Sequence, residues 1–537
     1  MMKRTRRNER RRRAPTHSPG GGLRIVSSKR KRVGHADPPR PRAHVPPRTQ
    51  CEPVAPPCPS IQTPEYEWLS TEDRMFLQFE QANAPMHVGA MLLFERGPLS
   101  TPTGTIDVQR VRNYVGAQLW AIPRYRQRLH YSPIDGQPVW VDDDSFHLGA
   151  HVHYVRLPEL GDAEALHGVV NQIFSRPLDR DRPLWEMWLV DGLGDGVVAV
   201  ISKIHHCMVD GIAGADLLTA LLTPTPVDTI APAPVWVPRL APSAASLLHD
   251  RAVRQANKVR AMARGVWQVV SHPRQGAQWA RHAASLWQAV GLGARPAPDS
   301  PFNRPIGPNR RFAWRAIDLG ELKRIKNQLG GSVNDVVLAT VTSALRRFLA
   351  HRDPDGVPPD LRALVPVNTR AAEAAHTMGN HVAAWLMALP VSEDDPLQRF
   401  ARIHAMTTAL KGANATLGAE LLSAAGSTML NLGMRFVERM RPFNIVVTNV
   451  PGPPLPLYLL EARLQHVYPL VPLFPNQGLG IAVLSYADTL GWGLNADCHI
   501  VPDLDVLADA VTASFEELSA AAYRVADRPA ALRRVAV

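Results

Sequence analysis

Apolar positions in this chain recur at two spacings, about 3.6 and 2 residues, and stretches of each kind alternate along most of its length. Leu69-Ser70-Thr71-Glu72-Asp73 has the form of a helix start, with Ser70 or Thr71 as the cap and acids in the first turn. Asp107 precedes a helical stripe of Val108, Val111, Val115, Leu119 and Ile122 that Pro123 ends, and Asp162 precedes Leu166, Val169, Val170 and Ile173. Strand-like runs follow at Trp185 to Val190 and Val197 to Ile204, joined through a glycine-rich loop, and together they predict an antiparallel hairpin. Farther on, Ser332 caps a helix with the stripe Val337, Val341, Leu345 and Phe348, and Asp335 suits its N-terminal dipole. Further strands are expected at Leu361 to Val367, His381 to Leu389, Asn444 to Val450 and Leu479 to Tyr486. Strands and helices are thus interleaved in both halves, which predicts an α/β fold with two layers in each.

Length and composition divide this pattern into parts. A chain of 537 residues exceeds one ordinary core, so two or more domains are expected. Residues 1–63 are Arg, Pro and Gly with few large apolar side chains, a disordered tail by composition. The formal charge of +12 is misleading until located: residues 1–50 alone carry +14, and the remainder is close to neutral. The folded part therefore offers no basic stripe for nucleic acid. Residues 64–222 form the first folded domain and 301–530 the second. Between them, 223–300 runs from Pro-rich into basic, Ala-rich helical sequence with Trp267, Trp279 and Trp287. This connector is either an amphipathic helix pair packed on the body or a surface that meets a membrane or lipid droplet. No apolar run has the length of a membrane span or a signal peptide, so the expected location is cytoplasmic with peripheral membrane contact. Cys51, Cys58, Cys207 and Cys498 show no metal-ligand spacing and are expected to be reduced thiols.

The segment that carries chemistry is His205-His206-Cys207-Met208-Val209-Asp210-Gly211, at the end of the Val197 to Ile204 strand and ahead of a helical run. A strand-to-helix corner places side chains at a sheet end, where clefts form. An alcohol is a poor nucleophile while it keeps its proton, and histidine, titrating near neutral pH, suits the task of removing it. Taken bare, the segment admits three roles: catalytic, buried structural, or metal-binding. Adjacent strand residues point to opposite faces, so only one of the two histidines could join Asp210 at one ion, and no metal site is expected. Asp210 either accepts from a ring nitrogen or pairs with an arginine to hold the corner, with Gly211 supplying a tight turn.

His-His-x-x-x-Asp-Gly stands here with ordered companions: Leu69 to Asp73, Arg182-Pro183-Leu184-Trp185, Asn334-Asp335, Pro366-Val367-Asn368, Met378-Gly379-Asn380 and Asn449-Val450-Pro451-Gly452-Pro453. The set, spanning about residues 66 to 530, resembles the CoA-dependent acyltransferase superfamily and, within it, the wax ester synthase/diacylglycerol acyltransferases. The resemblance implies two chloramphenicol-acetyltransferase-like domains joined by a long helical connector, with the active site in a channel between them. It implies His206 as general base, His205 as its support, and Cys207 as a bystander, since no covalent acyl-enzyme is expected. Acyl-CoA would be the donor, as co-substrate and not as a bound cofactor; diacylglycerol or a long-chain alcohol would accept. Asn449 or Thr448 is a candidate donor to the tetrahedral oxyanion. Asn334 and Asp335 are expected in helix capping as well as near substrate, and Trp185 in shaping the acyl channel or the fold. The basic tail and the cysteine at position 207 depart from the family pattern. Two alternatives stand beside this: a carrier-protein-dependent or polyketide-associated O-acyltransferase, and a non-catalytic protein that binds lipid droplets or membranes.

Overall fold

The computed structural model describes residues 66–133, 135–158, 161–194, 196–208, 221–232, 234–271, 296–368, 382–412 and 441–526. In chain order the strands are β1 (Tyr66–Trp68), β2 (His87–Glu95), β3 (Gln127–Tyr131), β4 (Pro138–Asp142), β5 (Val152–Arg156), β6 (Trp185–Asp191), β7 (Val197–His205), β8 (Arg310–Asp318), β9 (Leu361–Asn368), β10 (Val382–Leu389), β11 (Ile445–Val450), β12 (Tyr458–Leu459), β13 (Ala462–Leu470), β14 (Leu479–Tyr486) and β15 (Thr489–Asp497). The α-helices are α1 (Thr71–Phe79), α2 (Val108–Gln118), α3 (Ala163–Ser175), α4 (Ala244–Ser271), α5 (Leu319–Leu329), α6 (Val333–Arg352), α7 (Pro396–Gly412) and α8 (Leu504–Ala526).

Two six-stranded mixed sheets carry the fold, in the orders β12-β13-β2-β7-β6-β5 and β10-β9-β11-β14-β15-β8, beside a small sheet β1-β4-β3. The predicted hairpin is β6–β7, antiparallel with Trp185 opposite Ile204. Both faces of β7 are covered: Val198 and Val200 lie in one apolar cluster, Ala199 and Ile201 in another. A strand buried on both faces reads as a continuous apolar run, as this one does. In the second sheet β11 runs parallel to β9 and β14, while α6 and α8 supply the largest shared core.

Local start signals hold. Ser70 caps α1 through the Asp73 amide, Asp107 caps α2, Asp162 caps α3, and Ser332 with Asp335 forms a reciprocal capping box on α6. One stop signal does not: α2 ends at Gln118, not at the residue before Pro123, because Leu119 and Ile122 enter the core from a turn and not from a helix.

The domain limits expected from sequence do not separate the sheets. β12 and β13, from residues 458–470, leave the second half for the first sheet: β13 pairs onto β2, with Leu470 opposite Gly89 and Val467 opposite Leu92, and β12 pairs onto β13. β13 then lies against β15 at a glycine seam, where a Cβ on Gly491 or Gly493 would overlap the carbonyl oxygen of Val467 or Pro469. Arg310, almost fully buried at the start of β8, donates to the Asn83 carbonyl, and α3 meets β8 through Asn171 Oδ1, which accepts from the Phe312 amide at 2.8 Å. The two halves therefore share a strand as well as a boundary.

Candidate active site

At the end of β7 the strand hydrogen bonds continue through the two histidines: the His205 amide donates to Leu184 O at 2.9 Å and the His206 amide to Met86 O at 2.8 Å. A short 3-10 turn, His206–Met208, follows. The two rings face different surroundings. His205 is buried; its Nδ1 accepts from the Cys207 amide at 3.1 Å, and its Nε2 lies 3.4 Å from Glu80 Oε1, at ion-pair distance. His206 is half-buried and stacks on Phe76 of α1, ring centroids 3.6 Å apart. Its Nδ1 is sealed from solvent without a hydrogen-bond partner. Burial pushes the His206 pKa down to about 4, against the opposing pull of its own backbone and with a lesser push from the neighbouring His205. At neutral pH the ring is an uncharged base.

Glu80, which no pattern near it in the chain singles out, sits behind this corner. It accepts from Arg180 through Oε2 and from the Met86 amide at 3.3 Å through Oε1, and His87 Nε2 is 3.7 Å away. Burial alone would raise its pKa, but His205 and Arg180 outweigh that and bring it down to about 2. The Cys207 thiol is pushed well up by burial, with Asp73 and Glu80 adding to the effect, so it is no nucleophile at neutral pH.

The remaining candidates separate. Asp210 and Gly211 lie outside the described residues, as does Met378-Gly379-Asn380. Thr448 and Asn449 are neighbours on β11 and so point to opposite faces. Thr448 shares its face with Val450, which packs against the core of the first half, while Asn449 is in phase with Ile445 and Val447 in the core of the second. Asp335 is fully buried and spoken for: it accepts from the Ser332 amide, from His404 Nδ1 at 3.0 Å and from Thr407 Oγ1 at 2.7 Å. Asn334 beside it is half-exposed. Trp185 is a core side chain, 2% exposed, stacked on His151 and donating to Tyr125 O at 2.8 Å. A cavity of about 610 Å³ opens between the Pro301–Gly307 stretch and Asp497–Ile500. Its wall residue Ile306 packs in one small cluster with Met86 and Phe76, so it adjoins the His206 corner without containing it.

Comparison with known proteins decides the family. The wax ester synthase/diacylglycerol acyltransferase catalytic domain matches residues 69–337, and the C-terminal domain of the same family matches 378–519. A putative diacylglycerol O-acyltransferase of Mycobacterium tuberculosis is 34% identical over 470 residues, covering 84% of this chain and 90% of the relative. The chain belongs to the wax ester synthase/diacylglycerol acyltransferase family. The solved family member from Marinobacter aquaeolei VT8 superposes with a TM-score of 0.62 at 26% identity, over 85% of this chain and 99% of that one. The first condensation domain of the calcium-dependent antibiotic synthetase, at 16% identity, shares the fold with a TM-score of 0.53 over 84% of this chain and 96% of its own. The fold is thus that of the chloramphenicol-acetyltransferase-like, two-domain acyltransferases, and the wax ester synthase/diacylglycerol acyltransferase pattern runs through both halves.

Proposed function

We propose that this chain transfers a long-chain acyl group from acyl-CoA to the hydroxyl of a diacylglycerol or a long-chain alcohol, with His206 as general base. The observation that carries the reading is an uncharged histidine braced at a strand end in a chain of this family. With Nδ1 sealed, Nε2 is the nitrogen that meets the substrate. It takes the hydroxyl proton as the alcohol oxygen bonds to the thioester carbonyl carbon, and the carbonyl electron pair moves onto oxygen. The tetrahedral oxyanion then collapses, the C–S bond breaks, and the thiolate receives the proton from the imidazolium. Thr448, on the β11 face toward the first half, is the better of the two candidate oxyanion donors.

A lipid acceptor has to be met at a surface, and α4 supplies one. Leu247, Asp250, Arg251 and Arg254 hold the helix to the small sheet and its turn, Asp250 through Tyr66 and Arg251 through Asp135. Leu248, Val259 and Trp267 stay exposed on it, with Arg260 and Arg264 beside them, and Val235, Val237 and Leu240 are exposed just before it. Apolar side chains among cations suit an anionic lipid surface. No helix among the described residues is long and apolar enough to cross a membrane.

The test is thiol release from palmitoyl-CoA with dioleoylglycerol or hexadecanol, with the lipid product identified. Acceptor-dependent release that disappears in His206→Ala supports both the reaction and the base. Release that survives the substitution removes His206 from the mechanism, and absence of release with either acceptor turns attention to a carrier-protein donor. Co-flotation with anionic vesicles, lost in a Val259→Glu/Trp267→Glu double variant, is the expected result for the α4 surface.

A further inference from the structure

We propose that Glu80 is a positioning residue for acyl transfer, holding the turn that presents His206 from both sides; this rests on the reading of His206 as the base. One route runs through His205. A backbone amide only donates, so the Cys207 N–H on His205 Nδ1 requires a lone pair there, and the ring proton must sit on Nε2. That nitrogen faces Glu80 Oε1 at 3.4 Å. The second route runs through β2. The same Oε1 accepts from the Met86 amide at 3.3 Å, and the Met86 carbonyl accepts from the His206 amide at 2.8 Å. One carboxylate oxygen thus braces the residues on either side of the base, while Oε2 is held by the Arg180 guanidinium.

The surroundings keep this carboxylate an acceptor. His205 faces it from β7 and Arg180 from the segment before β6, while His87 Nε2, 3.7 Å away on β2, accepts from the Leu178 amide and donates nothing to it. Lys203, buried on β7, is occupied by Glu186 and two carbonyl oxygens, Arg310 by the Asn83, Gly307 and Asn309 carbonyls, and the Asp73 carboxylate accepts from the Ser70 hydroxyl at 2.7 Å. Orienting groups of this kind act on the reacting residue and not on substrate, so their loss falls on turnover.

Glu80→Met keeps the side-chain volume and removes the acceptor; Glu80→Gln keeps an acceptor oxygen. With palmitoyl-CoA and the better acceptor, Glu80→Met is expected to lose about 10- to 100-fold in kcat with KM changed less than about twofold. Glu80→Gln is expected to recover most of that loss. Rates are referred to the folded fraction from thermal denaturation. A Glu80→Met protein with parental kcat overturns the proposal, as does a glutamine variant as slow as the methionine one. Should Glu80→Met not fold, the glutamine variant decides alone: kcat within about threefold of the parent supports the brace, and a loss beyond about tenfold overturns it. His206→Ala is run in parallel. If it is inactive while Glu80→Met is not, the brace alone falls; if His206→Ala is fully active, the base assignment falls and the brace with it.

Discussion

The corners at His205–His206 and at Ser332–Asp335 look alike in the sequence: each is a short polar motif at the edge of an apolar run. In the structure they differ in how far their polar groups are satisfied. At the head of α6, Asp335 meets a backbone amide, a histidine and a threonine, and nothing at the carboxylate is left over. At the end of β7, the backbone is held as firmly, yet His206 Nδ1 and His87 Nδ1 are buried without hydrogen-bond partners, and His205 Nε2 has only the ion-pair contact to Glu80 at 3.4 Å. Buried polar groups are nearly always paired, so the unpaired ones mark where stability was not the only demand. Asp335 is a joint that ties α6 to α7, and His206 is a neutral ring stacked on Phe76, the state the proposed base requires.

This contrast can be broken in several places. The largest effect is expected for His206→Ala, a loss of about 100- to 10,000-fold in kcat with little change in the urea midpoint. Asp335→Ala should do the reverse: a destabilisation of about 2–4 kcal/mol by urea titration, with activity per folded molecule retained. A loss of turnover in the folded fraction would return Asp335 to the site. A pH profile sharpens the first corner. The folded His206 pKa lies near 4, below the usual value of 6.5, so lowering the pH protonates the base only in that acid range. Free-enzyme kcat/KM should therefore stay level from pH 8 down to about 5.5 and fall below it. Phe76→Leu, which opens the stacked ring to water, is expected to move that limb upward toward 6.5. The smallest effect belongs to Ser332→Ala, about 1 kcal/mol from the lost cap, with no change in the profile.

What was legible from sequence is what local physics fixes. Caps at Ser70, Asp107, Asp162 and Ser332 and the β6–β7 hairpin depend on residues a few positions apart, and the structure carries them as expected. His205 and His206 could be singled out as candidates because their motif is contiguous. Glu80 was not, because nothing near it in the chain hints that residues at positions 180 and 205 will meet it. β13 escaped for the same reason: its pairing partner β2 lies at the other end of the folded region, and no spacing rule reaches that far. Thr448 and Asn449 were left level by sequence, and only the second sheet's register divides them.

The shared strand also sets a timetable. β2 is apolar on both faces, and until β13 arrives it has an open edge in the first sheet. Leu470 leaves the ribosome about 380 residues after Gly89, roughly 20 to 75 s later at ordinary synthesis rates. Throughout that interval the first sheet lacks both β12 and β13. An edge left open until residues 458–470 are made is the cost of closing one half of the molecule with a piece of the other.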